Sequence, residues 1–134
     1  MKIQELMIGT TLCNRELAET FQCSTQGGMR RSKRTNSLVL ISDRTKLYQD
    51  KWQGDILHYT GMGQVGDQDF FFMQNRTLYE SENNGIDIYL FEVLSPKEYT
   101  YCGMFKLASM PYMNQQYDAL GNMRNVCVFP IKRR

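Results

Sequence analysis

The sequence predicts a small α+β domain, a curved sheet or partly closed β-barrel flanked by two or more helices. Three observations carry that expectation. Five or six short runs rich in β-branched and aliphatic residues are bounded by Gly, Pro, Asn and Asp. Two other stretches space their apolar residues three or four apart, as one helix face requires. The two kinds of segment do not alternate regularly, which argues against a doubly wound parallel sheet. With 134 residues, 42% of them apolar, the chain suits one domain with a real core. It is too short for a TIM barrel or for a cofactor domain joined to a substrate domain.

In chain order, residues 6–8 read as a short strand ending at Gly9. Asn14–Phe21 reads as a two-turn helix with Leu17 and Phe21 on one face, and Cys13 with Glu16 has the spacing of a capping box. Residues 26–36 form a polar, glycine-bearing loop. Strands are expected at 37–42 and at Ile56–Thr60, the latter bounded by Gly54-Asp55 and Gly61. A helix is expected over 68–82, with Phe71, Gln74 or Asn75, and Leu78 on one side, stopped by Asn83-Asn84-Gly85. Three further strands follow at 86–94, 99–107 and 123–131, the last after a turn over 118–122.

Net charge is only +2, but its distribution is uneven. Residues 26–46 hold six bases and one acid, residues 49–92 hold eight acids and two bases, and the tail after Gly121 is basic again. Two basic segments converging on one face would attract a polyanion; the plainer alternative is a solvated loop and a ragged terminus. No run approaches the 18 apolar residues of a membrane span, and the start, MKIQELMIG, does not read as a signal peptide. Cys13, Cys23, Cys102 and Cys127 lack zinc spacing, and His58 is the single histidine, so the expectation is free thiols in a cytoplasmic protein without metal or other cofactor.

Gly61-Met-Gly63-Gln-Val-Gly66 matches G-x-G-x-x-G between a strand and a helix. A dinucleotide site is nevertheless disfavoured, because Asp67 and Asp69 put negative charge where the pyrophosphate would lie. No nuclease signature or triad spacing points to catalysis. The stretch from Tyr48 to Gly63, YQDKWQGDILHYTGMG, is more telling: two tyrosines, a tryptophan and two carboxylates surround a turn beside a basic loop. Aromatic faces stack on a base, and a carboxylate accepts from the exocyclic amine of cytosine. The alternative is that Trp52 and one tyrosine belong to the core and the acids to a surface loop.

That stretch resembles the YDG signature of SRA (SET- and RING-associated) domains, which recognise modified cytosine in DNA. Ser37-Leu-Val-Leu40, the loop Gly27-Gly28-Met-Arg30 and Asn75-Arg76-Thr-Leu78 resemble further family motifs. QGGMRRSKRTNSLVLIS, HYTGMGQVGDQ and VFPIK look closer to SRA-like domains of bacterial McrA-type restriction proteins that carry an HNH nuclease. The resemblance covers most of residues 2–131 and implies a PUA-like, SRA-like barrel that flips a base into a pocket. Carried over, Tyr48 and Tyr59 resemble the aromatic pair that sandwiches the base. Asp50 resembles the acid on its amino edge, and Thr60-Gly61 the backbone corner closing the pocket. Gly28 and Arg30 belong to the facing loop.

Arg30, Arg31, Lys33 and Arg34 would then neutralise phosphates, with Ser32, Asn36 and Gln64 bonding phosphates or bases. The sequence departs from eukaryotic SRA domains in lacking the Asn-Lys-Arg finger after Thr60-Gly61, and its YDG region is one residue shorter. The expected partners are duplex DNA carrying 5-methylcytosine or 5-hydroxymethylcytosine and a nuclease domain in cis or in trans, with no membrane. The expected domain is a single targeting module over residues 1–134, without catalysis of its own. Two alternatives remain open at this point: a modified-RNA reader of the EVE or ASCH kind, and an interaction protein that has lost the pocket.

Overall fold

The structure, a computed structural model, describes residues 1–46 and 50–134; Tyr48 lies outside the described residues. A 3-10 turn (Ile3–Glu5) leads into β1 (Thr11–Leu12) and α1 (Asn14–Phe21). The capping box forms as its spacing predicts, with the Cys13 backbone N–H donating to Glu16 Oε1 at 3.0 Å. Leu17 and Phe21 are fully buried, and left-handed Gln22 ends the helix. β2 (Met29–Ser32) and β3 (Ser37–Asp43) form one antiparallel hairpin, and β4 (Lys51–Gln53) and β5 (Ile56–Thr60) another. The short helices α2 (Gln74–Tyr79) and α3 (Ser81–Asn84) follow. The chain then runs through β6 (Asp87–Ser95), β7 (Glu98–Leu107), β8 (Tyr112–Tyr117) and β9 (Met123–Arg133).

The strand order is β2-β3-β6-β7-β9-β5-β4, with β1 added to β7 and β8 to β9. Only the β3–β6 pair is parallel among the described pairings. β3 explains its own continuous apolar run, since it is buried on both faces. Leu38 and Leu40 join one core cluster with Tyr59, Leu78 and Phe129, whereas Val39 and Ile41 join the other with Leu17, Phe21 and Phe91.

The expected curved sheet or partly closed barrel is therefore corrected. The fold is α+β, but the sheet is open: β2 and β4 stand at its two ends and do not pair. Helix α2 does what closure would otherwise do. It contacts β2 and β9, and its Leu78, with Phe70 and Tyr79 beside it, seals the first core cluster. Once a helix covers that cluster, no further strand pairing is needed to remove it from water.

Four local expectations also change. The ladder on β7 starts at Gly9 and Thr10, whose backbone groups bond Tyr101, and Met7 and Ile8 are exposed, so 6–8 is no strand. The loop over 26–36 contains β2. The helix expected from residue 68 begins only at Gln74, because the Gln68 side chain is spent on loop carbonyls and Met73 has φ +47°. Strands β4 and β8 were not expected; both are exposed almost throughout, so no burial alternation marks them.

Candidate nucleic-acid interface

Alternation along β3 points Leu38, Leu40 and Ser42 to one side, and Ser42, at 0% exposure, is the polar member of that row. Its hydroxyl donates to Asp50 Oδ2 at 2.8 Å. The Thr60 backbone N–H, at the end of β5, donates to Asp50 Oδ1 at 2.7 Å. The Arg44 guanidinium donates to the Asp50 carbonyl and lies 3.7 Å from Glu92. Asp50 is 5% exposed, and its carboxylate is held by the Ser42 hydroxyl and the Thr60 backbone N–H while Arg44 holds its carbonyl. An ionised carboxylate offers about four lone-pair sites, more than these donors occupy.

Tyr59 packs in the core beside it, 2% exposed. Its hydroxyl donates to the Gly28 carbonyl at 2.8 Å, with the Ile41 carbonyl at 3.2 Å. The fold thus gathers Asp50, Tyr59, Thr60, Gly61 and Gly28. Sequence reasoning missed Ser42, Arg44 and the buried amides described next; the readable signal for Ser42 was a polar residue on the core-facing phase of an apolar strand.

The Gly61–Gly66 turn is organised around two buried amides. Asn75 accepts from the Met62 N–H at 2.7 Å and donates to the Met62 and Asp69 carbonyls, each at 3.1 Å. Gln68 donates to the Gly61 and Gly63 carbonyls at 2.9 and 3.0 Å and accepts from the Cys127 N–H at 2.9 Å. The Gly61 and Gly66 N–H groups are likewise taken, by the Cys127 carbonyl and by Asp118. The Gly61, Met62 and Gly66 N–H groups are thus engaged by protein instead of facing outward as part of a phosphate cradle.

The basic segment is split. Arg30, 5% exposed, turns away from Asp50: it donates to Gly27 O at 2.8 Å and Asn14 Oδ1 at 2.6 Å and lies 5.6 Å from the Tyr99 ring centroid. It ties α1 to the 26–28 loop. Arg31 bonds the Ser32 and Ser37 carbonyls, and buried Ser32 accepts from the Thr35 N–H at 3.3 Å. Lys33 and Arg34 are exposed in the β2–β3 turn, where Asn36 donates to Gly85 O at 2.7 Å. That turn lies beyond Ser37, five strand residues from Ser42, so roughly 17 Å of β3 separates it from the Asp50 end. Gln64 is exposed in the glycine turn, its carbonyl accepting from the Ala119 N–H.

Burial pushes the Asp50 carboxyl above its ordinary value of 3.8, opposed by the bonds from Thr60 and Ser42 and by the Arg44 charge. A carboxyl raised on folding contributes stability that is present below 3.8 and lost as pH rises through its folded value. Asp50→Asn removes this contribution. The stability of the native protein relative to that variant is therefore expected to fall as pH rises across this window. Denaturant midpoints of both proteins at each pH check it; a difference independent of pH would contradict the direction.

Comparison with solved structures defines the class of fold. The chain is similar to the SRA domain of SUVH5 in complex with hemimethylated CG DNA, with a TM-score of 0.71 and 21% identity over 97% of this chain and 89% of that one. It is similar to the sulfur binding domain and SRA domain of ScoMcrA complexed with phosphorothioated DNA, at TM-score 0.79 and 14% identity over 96% of this chain and 40% of that one. It also resembles the modification-dependent restriction endonuclease TagI, at TM-score 0.73 and 19% identity over 98% of this chain and 51% of that one.

Residues 8–133 match the family described as the ScoMcrA-like SRA domain, and the chain belongs to that family. It spans less than two thirds of the ScoMcrA and TagI chains compared. A search of curated proteins gave no match. Among the described residues no cluster of three or more His, Cys, Asp or Glu is arranged for a metal, and no helix is long and apolar enough to cross a membrane.

Proposed function

We propose that this domain reads a modified cytosine in duplex DNA, accepting the flipped base beside Asp50, and thereby directs a nuclease of a restriction system. The observation that carries the reading is the Asp50 carboxylate: buried, braced by the Thr60 N–H and the Ser42 hydroxyl, and retaining acceptor capacity for a cytosine amine. Membership of the SRA family supports it. Opening the duplex costs a few kcal/mol of unstacking, which edge hydrogen bonds and stacking offset. Tyr48 is proposed as one stacking face. Tyr59, buried with its hydroxyl on the Gly28 carbonyl, is proposed to back the pocket from the core side. Cleavage is assigned to a separate nuclease domain, in cis or in trans.

A panel of duplexes identical except at one cytosine tests this. Tighter binding to the 5-methyl or 5-hydroxymethyl duplex is expected, and equal affinity for all members would overturn the reading.

Backbone contact falls to the exposed Lys33 and Arg34, with Arg31 and Asn36 alongside. Replacing Lys33 and Arg34 with Ala is expected to weaken modified and unmodified duplexes equally. The slope of log affinity against log salt should become shallower by about two units if each cation neutralises one phosphate. An unchanged slope would move the backbone contact to another surface.

A further inference from the structure

Hydrogen bonding decides which way the backbone of the β8–β9 hairpin points. The Cys127 N–H donates to Gln68 Oε1, and the Cys127 carbonyl accepts from the Gly61 N–H. The Asn125 N–H donates to Asp67 Oδ1, and the Asn125 carbonyl accepts from the Gln68 N–H. Both residues therefore turn to the β5 side. Backbone groups alternate along a strand, so Arg124, Val126 and Val128 turn to β8, where their register partners are Gln116, Asn114 and Tyr112. Met113, Gln115 and Tyr117 are left to direct their N–H and C=O groups off the sheet. The Gln115 N–H agrees, since it donates outside the ladder to Asn114 Oδ1 at 2.9 Å. Among the described residues β8 pairs with β9 alone.

An open strand edge is a template for another strand, and proteins ordinarily blunt it with charge, proline or a bulge. The two ends of the sheet follow that rule: β2 carries Arg30 and Arg31, and β4 carries Lys51. β8 does not. Tyr112–Tyr117 reads Tyr-Met-Asn-Gln-Gln-Tyr, without charge or proline, and every residue but half-buried Gln116 is exposed. Its register puts Met113, Gln115 and Tyr117 on the face that carries Cys127, Asn125 and Met123. Cys127 is in the core there, but Met113, Tyr117 and Met123 are 44%, 62% and 53% exposed. The edge thus offers unpaired backbone groups beside an apolar row.

We propose that β8 is a self-association edge, which pairs antiparallel with β8 of a second copy of this chain about a two-fold axis at Gln115. Outward-pointing residues must meet outward-pointing residues, so the strand pairs with its copy only where one residue stands opposite itself. Gln115 suits that position, because its amide carries both a donor and an acceptor for its counterpart. The register then sets Met113 opposite Tyr117 of the second copy, a thioether against an aromatic ring, and Asn114 opposite Gln116. It also brings Met110 level with Leu120 of the second copy, both strongly exposed in the single chain. No like charges meet. A strand without a cation gives a nucleic acid nothing to hold, whereas it fits its own uncharged copy. The pairing uses neither Asp50 nor Tyr59 nor the Lys33–Arg34 turn, so it is independent of base reading.

Sedimentation equilibrium of the full chain without DNA, from micromolar to millimolar concentration, tests this. A reversible monomer–dimer equilibrium is expected. Gln115→Pro removes an N–H that points off the sheet and spares the bonds to β9, so the variant should fold, as circular dichroism checks. Its dimer should be weaker by about 5- to 150-fold, the loss of the two central hydrogen bonds. Met113→Glu and Tyr117→Lys alter exposed side chains and test the register. Met113→Glu alone should weaken the dimer, because its carboxylate meets the ring of Tyr117, and adding Tyr117→Lys should restore association by setting opposite charges across the axis. A mass that stays that of one chain at millimolar concentration overturns the proposal. So does a dimer that survives Gln115→Pro undiminished, or a double variant that associates no better than Met113→Glu. Because no DNA is present, none of these outcomes depends on whether the domain discriminates modified cytosine.

Discussion

Asp50→Asn is expected to abolish preference for modified duplex while leaving the protein folded and its salt dependence unchanged. The substitution is close to isosteric: Asn Oδ1 still accepts from the Thr60 N–H, and its amide donates to Ser42 Oγ where the carboxylate accepted. What disappears is acceptor capacity at the Oδ2 position, which is proposed to face the cytosine amine. Two donors then confront each other in a desolvated site, at a cost of about 1–3 kcal/mol, more when a charged partner is lost. That corresponds to roughly a 5- to 150-fold loss of affinity for modified duplex, with little change for unmodified duplex held by its phosphates. A 2-aminopurine beside the target cytosine should brighten when the native protein binds and stay dark with the variant. A folded Asp50→Asn protein that keeps full discrimination would remove Asp50 from base reading.

The second large effect is on stability, at Asn75. This residue is 0% exposed, and its amide replaces a strand partner for Met62 and a helix partner for Asp69. Asn75→Ala removes three hydrogen bonds from a corner that water enters poorly, and is expected to cost about 2–4 kcal/mol. Urea midpoints at unchanged m-value measure it.

Gly61 supplies a check on the geometry. A Cβ there would lie 2.6 Å from Asn75 Oδ1, and the amide is too firmly bonded to withdraw. Gly61→Ala is therefore expected to destabilise the native protein by about 1–3 kcal/mol but to cost clearly less in the Asn75→Ala background. Additive losses would mean that the two residues do not meet as described.

Some of the molecule was legible because its signals are local. The Cys13–Glu16 capping spacing and the Leu17–Phe21 stripe mark α1, and Gly54-Asp55 and Gly61 bracket β5, so both elements begin and end where the sequence indicates. Asn83-Asn84-Gly85 stops α3 because Gly85 adopts φ +70°, a conformation that costs glycine little. The short motif around Asp50 likewise pointed to the residue on which the functional reading rests. β8 offered no such handle: Tyr-Met-Asn-Gln-Gln-Tyr has neither a buried face nor an apolar alternation, and only its pairing with β9 makes it a strand.

By itself the sequence determined an α+β domain, its strongest helix cap, most of its strands and its kinship, since these depend on neighbours a few residues apart or on motifs read in order. Tertiary structure decided the rest. It left the sheet open with α2 over the gap, turned Arg30 toward Asn14 and away from Asp50, and put Lys33 and Arg34 at the far end of β3 although they stand only a few residues from Gly28. Side chains alternate across a strand and the strand itself extends about 3.4 Å per residue, so residues adjacent in a basic run part to opposite faces and distant ends. The same long-range pairing brings Ser42, Asp50 and Thr60 together from three separate segments, a meeting that no local pattern encodes.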